Sequence, residues 1–161
     1  MVLPRLLACD LVAWLTKFVY AQAMFDHCLY FNTTALARRL EREWTDAFAP
    51  FDLSPPQAFM LRVILTKPGL LQRELAAELS IARPTATRAL DHLQAKGLVE
   101  RSGRDGDARE TCINPTRKAV ALHAALDAAS AGVTSRLKAV LGSAEFGETV
   151  TRINGARSAL E

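Results

Sequence analysis

The chain is 161 residues long, half of it hydrophobic and 7% aromatic, with a formal net charge of +3. That length suits one domain with a core of its own, built chiefly from Leu, Ala and Val on helices. Cys9, Cys28 and Cys112 show no paired spacing, which excludes a disulfide framework and points to a reducing, cytoplasmic setting. No stretch reaches the ~18 uninterrupted apolar residues of a transmembrane helix, so no membrane partner is expected.

Residues 1–25 read as an N-terminal extension. Leu6-Leu7-Ala8-Cys9 and Ala21-Gln22-Ala23 look like cleavage boxes, but Arg5, Asp10 and Lys17 interrupt the apolar run that export requires. Residues 11–25 can form a poorly patterned apolar helix, and Met24 is an alternative start. The first well-signalled helix opens at the capping cluster Asn32-Thr33-Thr34 and runs to about Phe48, with Leu36, Leu40, Trp44 and Phe48 on one face. Ser54-Pro55 starts a second helix that runs through Leu65 and closes at Pro68-Gly69. A short third helix holds Leu75, Ala76 and Leu79 and stops at Ser80.

The fourth helix spans Arg83-Pro84 to Lys96-Gly97, with lysine against the helix dipole and glycine as the left-handed cap. Two extended runs follow, Leu98–Ser102 and Glu110–Asn114, around the polar tip Gly103–Asp107, which predicts a hairpin. After Pro115-Thr116 a long alanine-rich helix reaches about Leu141, with Gly132 a place to bend. Gly142-Ser143 breaks it before a last helix towards Leu160. The order predicts a mainly α fold with a small β-hairpin wing, a winged helix-turn-helix with further helices on either side.

The basic excess is localised. Residues 62–118 hold eleven Lys/Arg against seven Asp/Glu, while both flanks are close to neutral. Concentrated positive charge attracts polyanions and speeds encounter with them. On a helical wheel Ala86, Ala89, Leu90 and Leu93 form an apolar stripe, and Arg83, Thr85, Thr87, Arg88 and Asp91 lie opposite. Such a polar set near a helix N-terminus suits base edges: arginine pairs with guanine through two bonds, and threonine donates, accepts or touches a thymine methyl. Around the hairpin tip stand Arg101, Arg104 and Arg109, with Asp107 placed to hold the Arg109 guanidinium. Turn chemistry accounts for the Gly and Asp there but not for three arginines, whereas a minor groove accepts them.

The stretch ELAAELSIARPTATRALDHLQAKGLVERSGRDGDARETCINPT resembles the MarR family of winged-helix regulators. Asp107-Ala108-Arg109 matches the family's wing element, Ile113-Asn114-Pro115-Thr116 its strand end, and Gln57 its second-helix glutamine. Two positions depart from the pattern. Ala119 stands where a glycine is usual, and Leu71-Gln72 replaces the threonine that opens the third helix, which puts a backbone-phosphate contact there in question. The resemblance implies a single MarR-like unit over 1–161. Residues 54–116 form its DNA-binding part, and 26–50 and 117–161 its helical dimerisation part.

It also implies a homodimer on a pseudo-palindromic double-stranded DNA operator, acting as a transcriptional repressor or regulator released by a small-molecule or oxidant effector. The apolar residues Ala119, Val120, Leu122, Ala125, Leu126 and Ala129 agree with a helix that needs a second chain to cover it. Cys28, with Tyr30 in range, is the candidate redox sensor, set against the plainer reading of a small buried hydrophobe. No cofactor and no metal are expected, because His92 and His123 have no second ligand at metal spacing. An enzyme is excluded by the absence of a phosphate-binding glycine loop, a zinc-binding helix motif and a nucleophile elbow. The remaining alternative is a winged-helix protein-interaction module without DNA binding.

Overall fold

Serine, proline and glycine set most of the element boundaries in the computed structural model, which describes residues 25–104 and 107–160 and, of these, all side chains but those of 104 and 107–110. The expectations placed on residues 1–24, Cys9 included, and on Asp105-Gly106 lie outside the described residues. The elements run α1 (Leu29–Phe48), a 3-10 turn (Ala49–Phe51), α2 (Pro55–Thr66), β1 (Leu70–Leu71), α3 (Gln72–Glu78) and α4 (Arg83–Ala95). They continue with β2 (Val99–Arg104), β3 (Asp107–Pro115), α5 (Arg117–Leu141) and α6 (Ser143–Ser158). Among the described residues no helix is long and apolar enough to cross a membrane.

The chain divides within α1 into two compact units, Met1–Arg42 and Glu43–Glu161. In the first, α1 opens earlier than its capping cluster predicted. Asn32 Nδ2 donates to the Cys28 carbonyl at 2.9 Å, and the Thr33 and Thr34 hydroxyls donate to the carbonyls of Leu29 and Tyr30, each at 2.7 Å. Residues that favour caps thus serve here inside the first turns, bonding backward along the helix. Phe25 stacks on Phe31 with ring centroids 5.0 Å apart.

The second unit holds the core. Phe48, Met60, Leu61, Ile64, Leu75, Leu90, Leu93, Ile113 and Leu126 are fully buried, drawn from the end of α1, from α2 to α5 and from β3. Trp44, Phe48 and Phe59 form an aromatic knot with centroids 4.9–5.7 Å apart. Emptying such a position, Phe48→Ala for instance, costs about 3–5 kcal/mol. α2 begins at Ser54, whose N–H donates to Gln57 Oε1 at 3.2 Å, with proline in the first turn. In α3 the residue before the helix is Leu71, which has no polar atom to cap with. Glu74 Oε2 compensates by accepting the Leu71 N–H at 2.9 Å.

The sheet has three strands in the order β1-β3-β2, all antiparallel. The hairpin was expected from the sequence, but β1 was not. Leu70 and Leu71 pair with Ile113 and Cys112, and Gly69, at φ +81°, turns the chain so that its N–H reaches the Ile113 carbonyl at 2.9 Å. This strand of two residues ties the base of the wing to the helices. The hairpin itself extends further than predicted, from Val99↔Pro115 to Arg104↔Asp107, with a register shift after Gly103.

α5 runs through Gly132 unbroken, and Gly142, at φ +88°, separates it from α6 as expected. Arg62 of α2 ties α5 down: Nε meets Asp127 Oδ1 at 2.9 Å and Nη1 donates to Ser130 Oγ at 2.8 Å. The apolar surface foreseen on α5 is divided, however. Ala119 and Leu126 are fully buried in the chain's own core, and Leu122 and Ala129 pack against it. Val120 and Ala125 stay exposed, as do Val140, Leu141, Val150 and Ile153 further on, and α6 buries none of its residues.

Candidate nucleic-acid interface

α3, a tight turn and α4 form a helix-turn-helix, and two like motifs hold its geometry. After α3, Ser80 donates to Ala77 O and Ile81 to Ala76 O, both at 3.0 Å, with Ser80 at φ +50°. After α4, Gly97 donates to Gln94 O at 2.8 Å and Leu98 to Leu93 O at 2.9 Å, with Gly97 at φ +67°. Both are Schellman closures, in which a left-handed residue lets the last carbonyls find donors. The second delivers the chain directly into β2, so the end of α4 and the root of the wing share one fixed turn.

α4 is amphipathic as the wheel predicted. Ala86, Leu90 and Leu93 are fully buried, and Ala89 packs against the core. The other side divides in two. Arg83, Thr85 and Arg88 are exposed and make no side-chain hydrogen bond or ion pair with any described residue. Thr87 is half-buried and occupied: its hydroxyl donates to the Arg83 carbonyl at 3.0 Å and accepts from Gln72 Nε2 at 2.7 Å. Gln72, the residue that departs from the family pattern, therefore bonds α3 to α4.

The arginine of β2 closest to the helix is likewise engaged. Arg101 Nη1 meets Asp91 Oδ1 at 2.7 Å, and Nη2 reaches the Thr87 carbonyl at 3.5 Å. Only 24% of its side chain is exposed, and its Nε is buried without a partner among the described residues. Sequence reasoning had Arg101 on the wing surface and Asp91 merely on a polar face. The signal that could have joined them was an acid one turn before the helix end and a base on the strand leaving it. Arg104, Asp107 and Arg109 lie on the paired strands of the wing; their side chains, and hence the expected Asp107–Arg109 pair, fall outside the described ones.

Cys28 is half-buried just ahead of α1, and Tyr30 is exposed in its first turn. Among the described residues no group of three or more His, Cys, Asp or Glu is placed to hold a metal. His123 sits 3.4 Å from Asp127 on the same face of α5, and His92 is exposed on α4.

Residues 51–110 match the family model described as MarR family. Over 102 residues the chain is 30% identical to the HTH-type transcriptional regulator TtmR of Methylorubrum extorquens, covering 63% of this chain and 52% of that one. The chain spans about half the length of the curated relatives it matches. Among solved structures, the transcriptional repressor CouR bound to a 23-mer DNA duplex superposes with a TM-score of 0.77 at 25% identity, over 83% of this chain and 94% of CouR. The S. aureus MepR–DNA complex has the same fold, with a TM-score of 0.75 at 19% identity, over 83% of this chain and 99% of MepR.

Proposed function

We propose that this chain, whose residues 51–110 match the MarR family model, is a winged-helix regulator of that family and a sequence-specific transcriptional regulator that binds duplex DNA as a homodimer. The observation that carries the reading is the exposed set Arg83, Thr85 and Arg88 on the N-terminal half of a helix whose opposite side is buried. A recognition helix lays that half in the major groove, where arginine and threonine meet base edges and the flanking phosphates. The wing follows α4 without a free joint, so Arg104 and Arg109 reach the adjacent minor groove, where narrow A·T-rich stretches concentrate negative potential. CouR and MepR, whose fold this chain shares, are seen bound to DNA.

The dimer rests on α6. Phe146, Val150 and Ile153 recur at spacings of four and three along this helix, which has no fully buried residue, and Val150 and Ile153 are about half exposed. A stripe of that kind calls for a second helix. A two-fold dimer presents its recognition helices to half-sites about one DNA turn apart, hence a pseudo-palindrome. Release by a small molecule or an oxidant belongs to the same proposal, with Cys28 as the oxidisable thiol and Tyr30 as its neighbour. Peroxide should then free wild type from DNA and leave Cys28→Ser bound, and equal release of both removes the thiol from the account.

Selection from a random-sequence duplex pool tests the main reading. Enrichment of a two-fold repeat with half-site centres about 10 base pairs apart is the expected outcome. A pool that emerges without any shared sequence contradicts it.

A further inference from the structure

We infer that Arg101 is a positioning residue, which ties the wing to the recognition helix, and not a contact to DNA; the inference rests on the DNA-binding reading above. Three observations converge on it. The Arg101 guanidinium makes its short contact, 2.7 Å, with Asp91 on α4. Its second nitrogen is turned to the Thr87 carbonyl at 3.5 Å, and Thr87 is itself bonded through its hydroxyl to Gln72 of α3. Finally, the Arg101 side chain is three-quarters covered, with Nε fully buried, whereas Arg83 and Arg88 stand in solvent.

Together these place Gln72, Thr87, Asp91 and Arg101 in one polar seam running from α3 across α4 to β2. A planar guanidinium that faces a carboxylate fixes direction as well as distance, which a lysine could not do. The seam lies on the side of α4 between its buried stripe and the exposed Arg88. It therefore sets the angle at which the helix and wing present their free cations, because two elements that must meet one duplex need a fixed mutual orientation.

The charge of Asp91 gives the inference a sharp test. By electrostatics alone, removing an acid from a DNA-facing helix strengthens binding. If Asp91 instead holds Arg101, Asp91→Asn weakens it. The experiment measures affinity for the duplex selected above, over a range of salt, for wild type, Asp91→Asn, Arg101→Met, the charge-exchanged Asp91→Arg/Arg101→Asp chain, and Arg88→Met as the comparison. Each single seam variant should lose about tenfold in affinity. Arg101→Met should keep the wild-type salt slope, whereas Arg88→Met should lower it by about 0.9, the share of one phosphate contact. The exchanged chain should recover most of the binding.

A tighter-binding Asp91→Asn, a reduced slope for Arg101→Met, or no recovery in the exchanged chain overturns the assignment. Denaturant unfolding of the same set without DNA, with Asp91→Asn/Arg101→Met added to close the cycle, supplies a readout independent of the functional reading. The two residues should be coupled by about two- to fivefold in the unfolding equilibrium constant. A wild type that binds no duplex but shows this coupling sinks the DNA-binding reading and keeps the tie, and absence of coupling sinks the tie.

Discussion

Thr87 and Arg88 are adjacent in the chain, yet the helix turns their side chains about 100° apart, and the consequence is a division of labour. Thr87 faces inward enough to bond Gln72 and the Arg83 carbonyl, while Arg88 faces solvent. Thr87→Val removes the partner of a half-buried amide and should cost about 1 kcal/mol in denaturant unfolding. Arg88→Ala should leave stability within ~0.5 kcal/mol while weakening DNA binding. A Thr87→Val chain as stable as wild type would mean that the Gln72 bond adds nothing. At this scale the sequence reveals composition better than allegiance: the wheel placed Thr87, Arg88 and Asp91 on one polar face. It could not show that Gln72 and Arg101, 15 residues before and 14 after Thr87, come from neighbouring elements to occupy part of it.

Among the elements, those with strong local causes were legible. Gly97 was recognisable as a left-handed cap because a lysine-bearing last turn preceded it, and the structure shows φ +67° with both closing hydrogen bonds. Ser80 makes the equivalent closure at φ +50° but hid behind its side chain, since serine is as common in caps and turns of other kinds. The two sites should respond in opposite directions. Gly97→Ala puts a Cβ into open space but into a left-handed backbone, and should destabilise by about 1–2 kcal/mol. Ser80→Gly should stabilise by a comparable ~1 kcal/mol. Thermal unfolding of both variants checks the pair, and a destabilised Ser80→Gly would show that the serine makes up for its own strain. β1 was not legible, because two residues carry no alternation to detect; its pairing depends on Ile113 and Cys112, more than forty positions later. The start of α1 was misplaced because Asn32, Thr33 and Thr34 bond backward within the helix instead of capping it.

For the whole molecule, the sequence showed that the C-terminal helices carry more apolar surface than one small domain covers, but four of the six residues it named serve the internal core instead. Alanine and leucine at helical spacing on α5 serve the internal core, because β3 and α2 pack against its first half. What remains uncovered is Val120 and Ala125, the distal end of α5 and the stripe on α6. Val150→Asp with Ile153→Asp should therefore yield a folded monomer in sedimentation, with weaker binding to a two-fold site. A variant that still sediments as a dimer would place the interface elsewhere.

The account depends on one surface, the solvent-facing arginines of α4, meeting the phosphates and bases of a duplex. The salt dependence of binding addresses it most directly, comparing wild type with Arg83→Met/Arg88→Met on the same selected duplex. Affinity should fall steeply with salt in wild type, and the logarithmic slope of the double variant should be shallower by about 1.8, two phosphate contacts' worth. Identical slopes, or binding indifferent to salt, would contradict it.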